Sequence, residues 1–277
     1  MPAHSVLDAA SEPGDRSIRT VQRLVVAWQH PVDRSIEPVG FLSFDGHAYR
    51  FGYIRNALSV RGFRPLLGFE DRERTYSAED LFPLFAQRAM DPRRPDYQRY
   101  VGRLGLEGEQ PGPWEQIARS QGRRQGDTLQ LFPEPVVHGD ELTCLFLVHG
   151  IRHVHEEPKV LNGKTIEVTN AQIEQALARL RRGDLLAFVP EPMNIKNPQA
   201  VIVMGSPSVP VGWVPNLLVA DLHRLLSRAD TSVTVAQVNG PDAPSHMRLL
   251  ARLRAAPAGD FRFFTDPLWE PLASASQ

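Results

Sequence analysis

Cysteine is almost absent from this chain of 277 residues: Cys144 stands alone, in the run LTCLFLV. One thiol excludes an internal disulfide framework and a cysteine-rich metal site, and its apolar neighbours predict a buried strand position. A reducing compartment fits, so the cytoplasm is the expected location. An excess of charge is lacking too, since 31 Lys and Arg against 32 Asp and Glu leave a formal net charge of −1. That balance argues against coating of long nucleic acid through many phosphate contacts, and leaves recognition of an end or a short site open. No apolar run of about 18 residues is found, as a membrane-crossing helix requires, and the first twenty residues lack the basic start and apolar core of a signal peptide. The expectation is a protein that is neither secreted nor held in a membrane.

Catalytic signatures are missing as well. GxSxG, HExxH, paired metal-ligand sets and a Gly-rich dinucleotide loop do not occur, so catalysis is not expected and no cofactor is implied. Gly163, Lys164 and Thr165 spell the end of a P-loop. Pro158, however, stands where the leading glycine belongs, and the IEVT that follows reads as a strand where a helix N-terminus should receive phosphates. Asp71, Glu73, Glu79 and Asp80 fall in a polar linker and a helix start, where capping and the helix dipole account for them.

What is present divides the chain. Residues 1–20 are polar and read as a flexible leader; 21–135 form an α+β region; 136–256 form a β-rich domain with an insertion at 156–183; 257–277 read as a C-terminal tail. In the first region LVVAW at 24–28, VGFLSF at 39–44 and HAYRFGYI at 47–54 alternate as strands, with Asp45-Gly46 marking a hairpin. Ser77 with Asp80 predicts a capped helix carrying Leu81, Phe82, Leu84, Phe85 and Ala89. Further helices are expected at 95–103 and 114–119, and a strand at 128–135.

Arginine concentrates at positions 88, 93, 94, 99, 103, 119, 123 and 124, interleaved with Tyr97 and Tyr100. One reading is a basic surface for phosphate and base contact. The other is a solvated face whose arginines pair with Asp91, Asp96, Glu115 and Asp127.

In the second region ELTCLFLVHGIRHV at 141–154 reads as one long strand. Strand alternation then puts His149, His153 and His155 on one face at growing separation, without a partner carboxylate or cysteine, so no metal site is expected. Thr169 and Gln172 make a capping box ahead of an apolar stripe of Ile173, Ala176, Leu177 and Leu180, ended by Gly183. The insertion therefore reads as a strand followed by a helix. Next come AFVPEP, the Asn- and Pro-rich loop MNIKNPQ, the strand AVIVM, the turn VGWVP and the helix carrying Leu217, Leu218, Asp221, Leu222, Leu225 and Leu226. SVTVAQV at 232–238 and MRLLARLR at 247–254 close the region.

This order of elements resembles the HIRAN domain, a small β-barrel-like module that occurs alone in bacteria and fused to repair helicases in eukaryotes, where it grips the 3′ end of single-stranded DNA. Glu191, Pro192, Asn194, Ala200 and Val201 match its loop signature. Met193, Ile195, Lys196 and Asn197 replace an Asn, the Pro, the Tyr and the Asp. The resemblance implies an α+β protein with a HIRAN-like small barrel and a strand-helix insertion. It also implies a nucleic-acid site made by Arg152, His153, Asn194, Lys196 and Asn197, with Trp213 and Asn216 at its rim. Arg152 would meet phosphate and the terminal nucleotide, and His153 would stack in place of tyrosine. Lys196 would meet phosphate, and Asn197 would accept a hydrogen bond. Bland roles stand beside these: Arg152 as a surface arginine, Asn194 as a turn holder, Trp213 as an indole buried under the insertion.

The stretches VGFLSFDGHAYRFGYI, RPLLGF and YSAEDLFPLFAQR resemble the N-terminal subdomain of HipA-type proteins, without the kinase body. The expected function is binding of single-stranded DNA or a DNA 3′ end, in repair, processing or defence. The alternative is a protein-interaction module partnering a helicase, nuclease or toxin-antitoxin component, with the N-terminal region as the contact.

Overall fold

Along the first strand, alternate side chains enter different cores. β1 (Arg23–Gln29) sends Leu24 and Val26 to one apolar cluster and Val25 and Ala27 to another, all fully buried. A strand with both faces covered reads as a continuous apolar run, which RLVVAWQ is. The computed structural model describes residues 21–107, 111–124, 126–256 and 260–273; the expected leader lies outside them.

β1 is flanked by β2 (Ile36–Phe44) and by β5 (Leu129–Pro133) in a five-stranded antiparallel sheet of order β4-β3-β2-β1-β5, with β3 at Tyr49–Tyr53 and β4 at Tyr76–Ala78. The Asp45 carboxylate accepts from the amides of His47 and Ala48, both at 2.9 Å, and so builds the β2–β3 turn. One face of this sheet carries Leu42, Phe51, Tyr53 and Leu131 against Phe85 and Ile117. Residues 76–78, expected as a helix start, form an edge strand instead. Helix α1 is a single turn, Pro83–Ala86, capped by no side chain. The reason is Tyr76, whose ring packs on Phe69 and whose hydroxyl accepts from the Asp71 amide, holding the segment extended. α2 (Tyr97–Arg103) and α3 (Pro113–Ser120) form where expected.

The second sheet has seven antiparallel strands in the order β12-β11-β10-β13-β14-β7-β6. These are β6 (Val136–His138), β7 (Glu141–Leu147), β10 (Leu185–Pro190), β11 (Val201–Ser206), β12 (Val209–Trp213), β13 (Thr231–Val238) and β14 (Leu249–Ala255). The protein is α+β, as the pattern implies, but the expected barrel does not close as a ladder. β7 ends at Leu147, its chain leaves β14 after Val148, and its continuation meets β12 only through one bridge, His149 to Trp213. The long strand expected over 141–154 is likewise interrupted. Gly150 takes a left-handed turn at φ 70°, and Ile151–Glu156 is a 3-10 helix.

The insertion contains a hairpin before its helix. β8 (Lys159–Leu161) and β9 (Lys164–Ile166) are joined by Asn162 and Gly163, both at positive φ, so the P-loop-like GKT is the returning arm of a tight turn. Helix α4 (Asn170–Arg179) starts at the capping box: the Thr169 hydroxyl accepts from the Gln172 amide, and the Gln172 side chain accepts from the Thr169 amide. Ile173 and Leu177 then enter the core under the seven-stranded sheet, joined by Leu218, Leu222 and Leu225 of α5 (Asn216–Leu226). Residues read as a C-terminal tail also pack: Phe261, Phe263 and Phe264 are buried in this core, and Trp269 stacks on Phe41 at 5.9 Å. Their aromatic side chains join a surface that β2 and α5 leave open, which local pattern does not reveal.

Candidate nucleic-acid interface

Between β10 and β11 the chain makes a tight loop held by its own hydrogen bonds. The Glu191 amide donates to the Ala200 carbonyl at 2.8 Å, and the Asn194 amide donates to the Glu191 carbonyl at 3.0 Å. The Asn194 side chain holds this shape through both its oxygen and its nitrogen. Its Oδ1 accepts from the amides of Lys196 and Asn197, both at 3.0 Å, and its Nδ2 donates to Glu191 Oε2 at 2.6 Å. Asn197 Oδ1 accepts from the Gln199 amide, and its Nδ2 donates to Asn216 Oδ1 at 3.1 Å, which ties the loop to the first residue of α5. A carbonyl oxygen carries two lone pairs, so Asn197 and Asn216 retain acceptor capacity.

The opposite wall is the 3-10 turn after Gly150. Ile151 and Val154 anchor it in the core, while Arg152, His153 and Glu156 point outward. Arg152 Nε donates to His153 Nε2 at 2.9 Å, and His153 Nδ1 lies 2.7 Å from Glu156 Oε1. Since Nε2 is the acceptor, Nδ1 carries the proton and donates to the carboxylate, which holds Glu156 below its usual carboxylate range. Lys196, from the facing loop, adds its charge to the same effect. The imidazole is thus a link in a chain, held in the ring plane through both nitrogens, and its side chain stays 45 % exposed.

Trp213 closes the floor. Its Nε1 donates to Glu191 Oε2 at 2.7 Å, and Lys159 Nζ sits 5.5 Å from the ring centroid. Gly150 lies so close that an added Cβ would be 2.6 Å from Cε3. With neighbours at both ends the indole is a half-buried floor of the site under the insertion's hairpin, which is the bland role the sequence offered for it.

These segments enclose a cleft of about 470 Å³. His153, Asn194, Lys196, Asn197, Trp213 and Asn216 all line it; Arg152 stands outside, beyond His153. Ile36 of β2 also lines it, so the N-terminal sheet contributes to the wall. Four further residues belong to the site. Glu191, 4 % exposed, is the anchor on which Asn194 and Trp213 converge, and Lys159, 6 % exposed, roofs the indole. Met193 and Ile195 are 72 % and 86 % exposed at the rim. The sequence signal for Glu191 was its place before Pro192; for the apolar pair it was their replacement of polar and proline positions in an otherwise polar loop. Lys159 gave no signal.

The arginine tract resolves mainly as a paired face. Arg88 meets Asp127 at 2.5 Å, Arg93 meets Asp91, Arg94 meets Asp96, Arg103 meets Asp242, and buried Arg119 donates to the Leu104 carbonyl. Tyr97 is buried with Val101, Leu104 and Met247 rather than offered to bases. The histidines fail to form a strand face because the left-handed turn at Gly150 and the 3-10 helix Ile151–Glu156 end the strand between His149 and His153. Among the described residues no group of three His, Cys, Asp or Glu is gathered for a metal ion. No helix among them is long and apolar enough to cross a membrane.

The fold and cleft define an α+β protein with a ligand-sized site between a hairpin loop and a 3-10 turn. No family model matches the chain, and no curated protein matches it. Among solved structures it is similar to the HIRAN domain of human HLTF, at 12 % identity over 43 % of this chain and 79 % of that one, with a TM-score of 0.25. Nothing in these comparisons carries the HipA-like resemblance.

Proposed function

We propose that the cleft receives the unpaired end of a nucleic-acid strand, taking in its last nucleoside while cations at the rim meet the backbone. The observation that carries this reading is the convergence of six side chains, from segments near residues 153, 194–197 and 213–216, on one cleft of nucleoside-binding size. Asn197 and Asn216 offer acceptors for a sugar hydroxyl, Lys196 offers a charge, and exposed Met193 and Ile195 offer apolar contact to a base. Glu156, Glu157 and Glu191 around the same space disfavour a phosphate inside it. A free 3′-hydroxyl on single-stranded DNA is therefore the preferred terminus. In this reading the protein binds without bond-breaking chemistry or a cofactor, and its setting is DNA repair, processing or defence.

Fluorescence anisotropy with matched oligonucleotides ending in 3′-hydroxyl or 3′-phosphate tests the reading. Tighter binding of the hydroxyl, weakened in Arg152→Ala and Lys196→Ala, is expected. Absence of binding to any strand at low salt would overturn it.

The exposure of Met193 and Ile195 favours a second reading, an interaction surface for a protein partner such as a helicase or nuclease. Salt separates the two, because phosphate contacts weaken with added salt in proportion to their number and an apolar interface does not.

A further inference from the structure

Three exposed arginines from distant parts of the chain are set in place by separate backbone devices near residues that line the cleft or bond to its walls. Arg34 sits in the β1–β2 turn at φ 64°, pinned by its amide to the His30 carbonyl and by its carbonyl to Gln29 Nε2, both at 3.1 Å. Two residues on, Ile36 lines the cleft. Arg123 follows Gln121, which ends α3 at φ 59° and accepts at 3.0 Å from His149 Nε2. Arg152 lies in the 3-10 turn that packs against Ser245–Met247, the short turn bearing His246.

We propose that Arg34, Arg123, Arg152 and His246 form a phosphate-binding cluster through which the N-terminal sheet and the seven-stranded sheet jointly grip the strand behind its terminal nucleoside. This rests on the nucleic-acid reading of the cleft. Many arginines of the protein have a carboxylate partner, including Arg23, Arg50, Arg55, Arg94 and Arg248. Arg34, Arg123 and Arg152 form no ion pair among the described residues. They do feel each other: desolvation, then Arg152 and Arg34, lower the pKa of Arg123, and the charges of Arg123 and Arg152 help to lower that of His246. Like charges held together without a counter-ion are a cost in the free protein that a polyanion relieves. A guanidinium suits this task, since its planar fork matches two phosphate oxygens.

The acids of the cleft and the cations outside it thus divide the ligand. The hydroxyl end goes inward past Glu156, and the phosphates run outward past Arg152 toward Arg123 and Arg34. Two regions that the sequence separates by more than a hundred residues would share one ligand.

The test compares the wild type with Arg34→Gln/Arg123→Gln, both binding a fluorescent oligothymidylate of about ten nucleotides and a thymidine dinucleotide over a range of salt. Thermal melting of both proteins confirms that the surface substitutions leave the fold intact. The expected result is at least about tenfold weaker binding of the long strand at low salt, a salt slope shallower by about 1.4, and little change for the dinucleotide. Equal affinity and slope for the long strand in both proteins would overturn the cluster while leaving the cleft as a terminus site. Binding of neither ligand by the wild type would overturn both, and binding of an acidic peptide in their place would reassign the arginines to a protein partner.

Discussion

His149 and Trp213 exchange two backbone hydrogen bonds, each 2.9 Å long, and this single bridge joins the continuation of β7 to the end of β12. It holds the two walls of the cleft at a fixed separation, because Arg152 and His153 follow one partner while Asn216 follows the other. A glycine beside each partner makes it feasible: at Gly212 (φ 141°) an added Cβ would be 2.5 Å from Val148 Cγ1 and 2.6 Å from the His149 carbonyl oxygen.

Gly212→Ala is therefore expected to cost about 3 kcal/mol, from backbone strain and overlap with atoms that cannot withdraw. Gly163→Ala, at a positive φ with nothing within 4 Å, should cost only about 1 kcal/mol. Urea denaturation of both variants checks the difference, and equal losses would remove the special role given to the bridge.

Glu191 supplies one oxygen to two donors, Asn194 Nδ2 and Trp213 Nε1. Glu191→Gln can present an amide oxygen at the same place and should fold nearly as well as the wild type. Glu191→Ala leaves the indole donor without an acceptor and should lose about 1–3 kcal/mol, together with oligonucleotide binding. Unfolding midpoints and anisotropy of the two variants give the comparison; identical behaviour would show that the carboxylate does not anchor the loop.

The His149 ring lies between Phe132 and Gln121, and burial, aided by the charges of Arg123 and His246, brings its pKa down to about 3. In the unfolded chain the imidazole takes its proton near about pH 6.5. Between these values the unfolded state binds more protons, so this contribution to stability is full above about pH 6.5 and lost as pH falls toward 3. The loss is up to about 1.4 kcal/mol per pH unit. In His149→Gln the dependence of stability on pH between about 6.5 and 4 should flatten, with the residue due to His246 remaining. Parallel pH profiles for the two proteins would contradict it.

Arg88 is buried with its Nη2 on Asp127 at 2.5 Å and its Nη1 on the Gly122 carbonyl at 2.9 Å. Asp127→Asn strands a buried guanidinium beside a neutral amide, and a loss of about 3 kcal/mol is expected. Asp91→Asn, whose arginine partner is exposed, should change stability by less than about 1 kcal/mol. Chemical denaturation of the pair decides whether the arginine tract is structural at Arg88 and superficial at Arg93.

Features closed within a few residues were legible without coordinates. Asp45-Gly46 makes its hairpin, Thr169 and Gln172 cap their helix, and Cys144 lies buried in a strand, because each depends on neighbours three or four positions away or on a period of two. The positions of the cleft residues were also legible, through a resemblance carried by the loop between β10 and β11. Their roles were not. Whether His153 is free or bonded depends on the turn that Gly150 permits, and whether Trp213 is open depends on a hairpin that returns Lys159 over it. The sharing of β1 between two cores likewise follows from packing between distant segments. Sequence determined most strands and the cap at Thr169, where the stabilising partner is a near neighbour, but not the segment at Ser77, which Tyr76 holds extended through Phe69 and Asp71, nor the end of β7 at Gly150. Only the tertiary structure decided which polar groups remain available to a ligand, because a side chain's free hydrogen-bonding capacity is what the rest of the fold leaves unused.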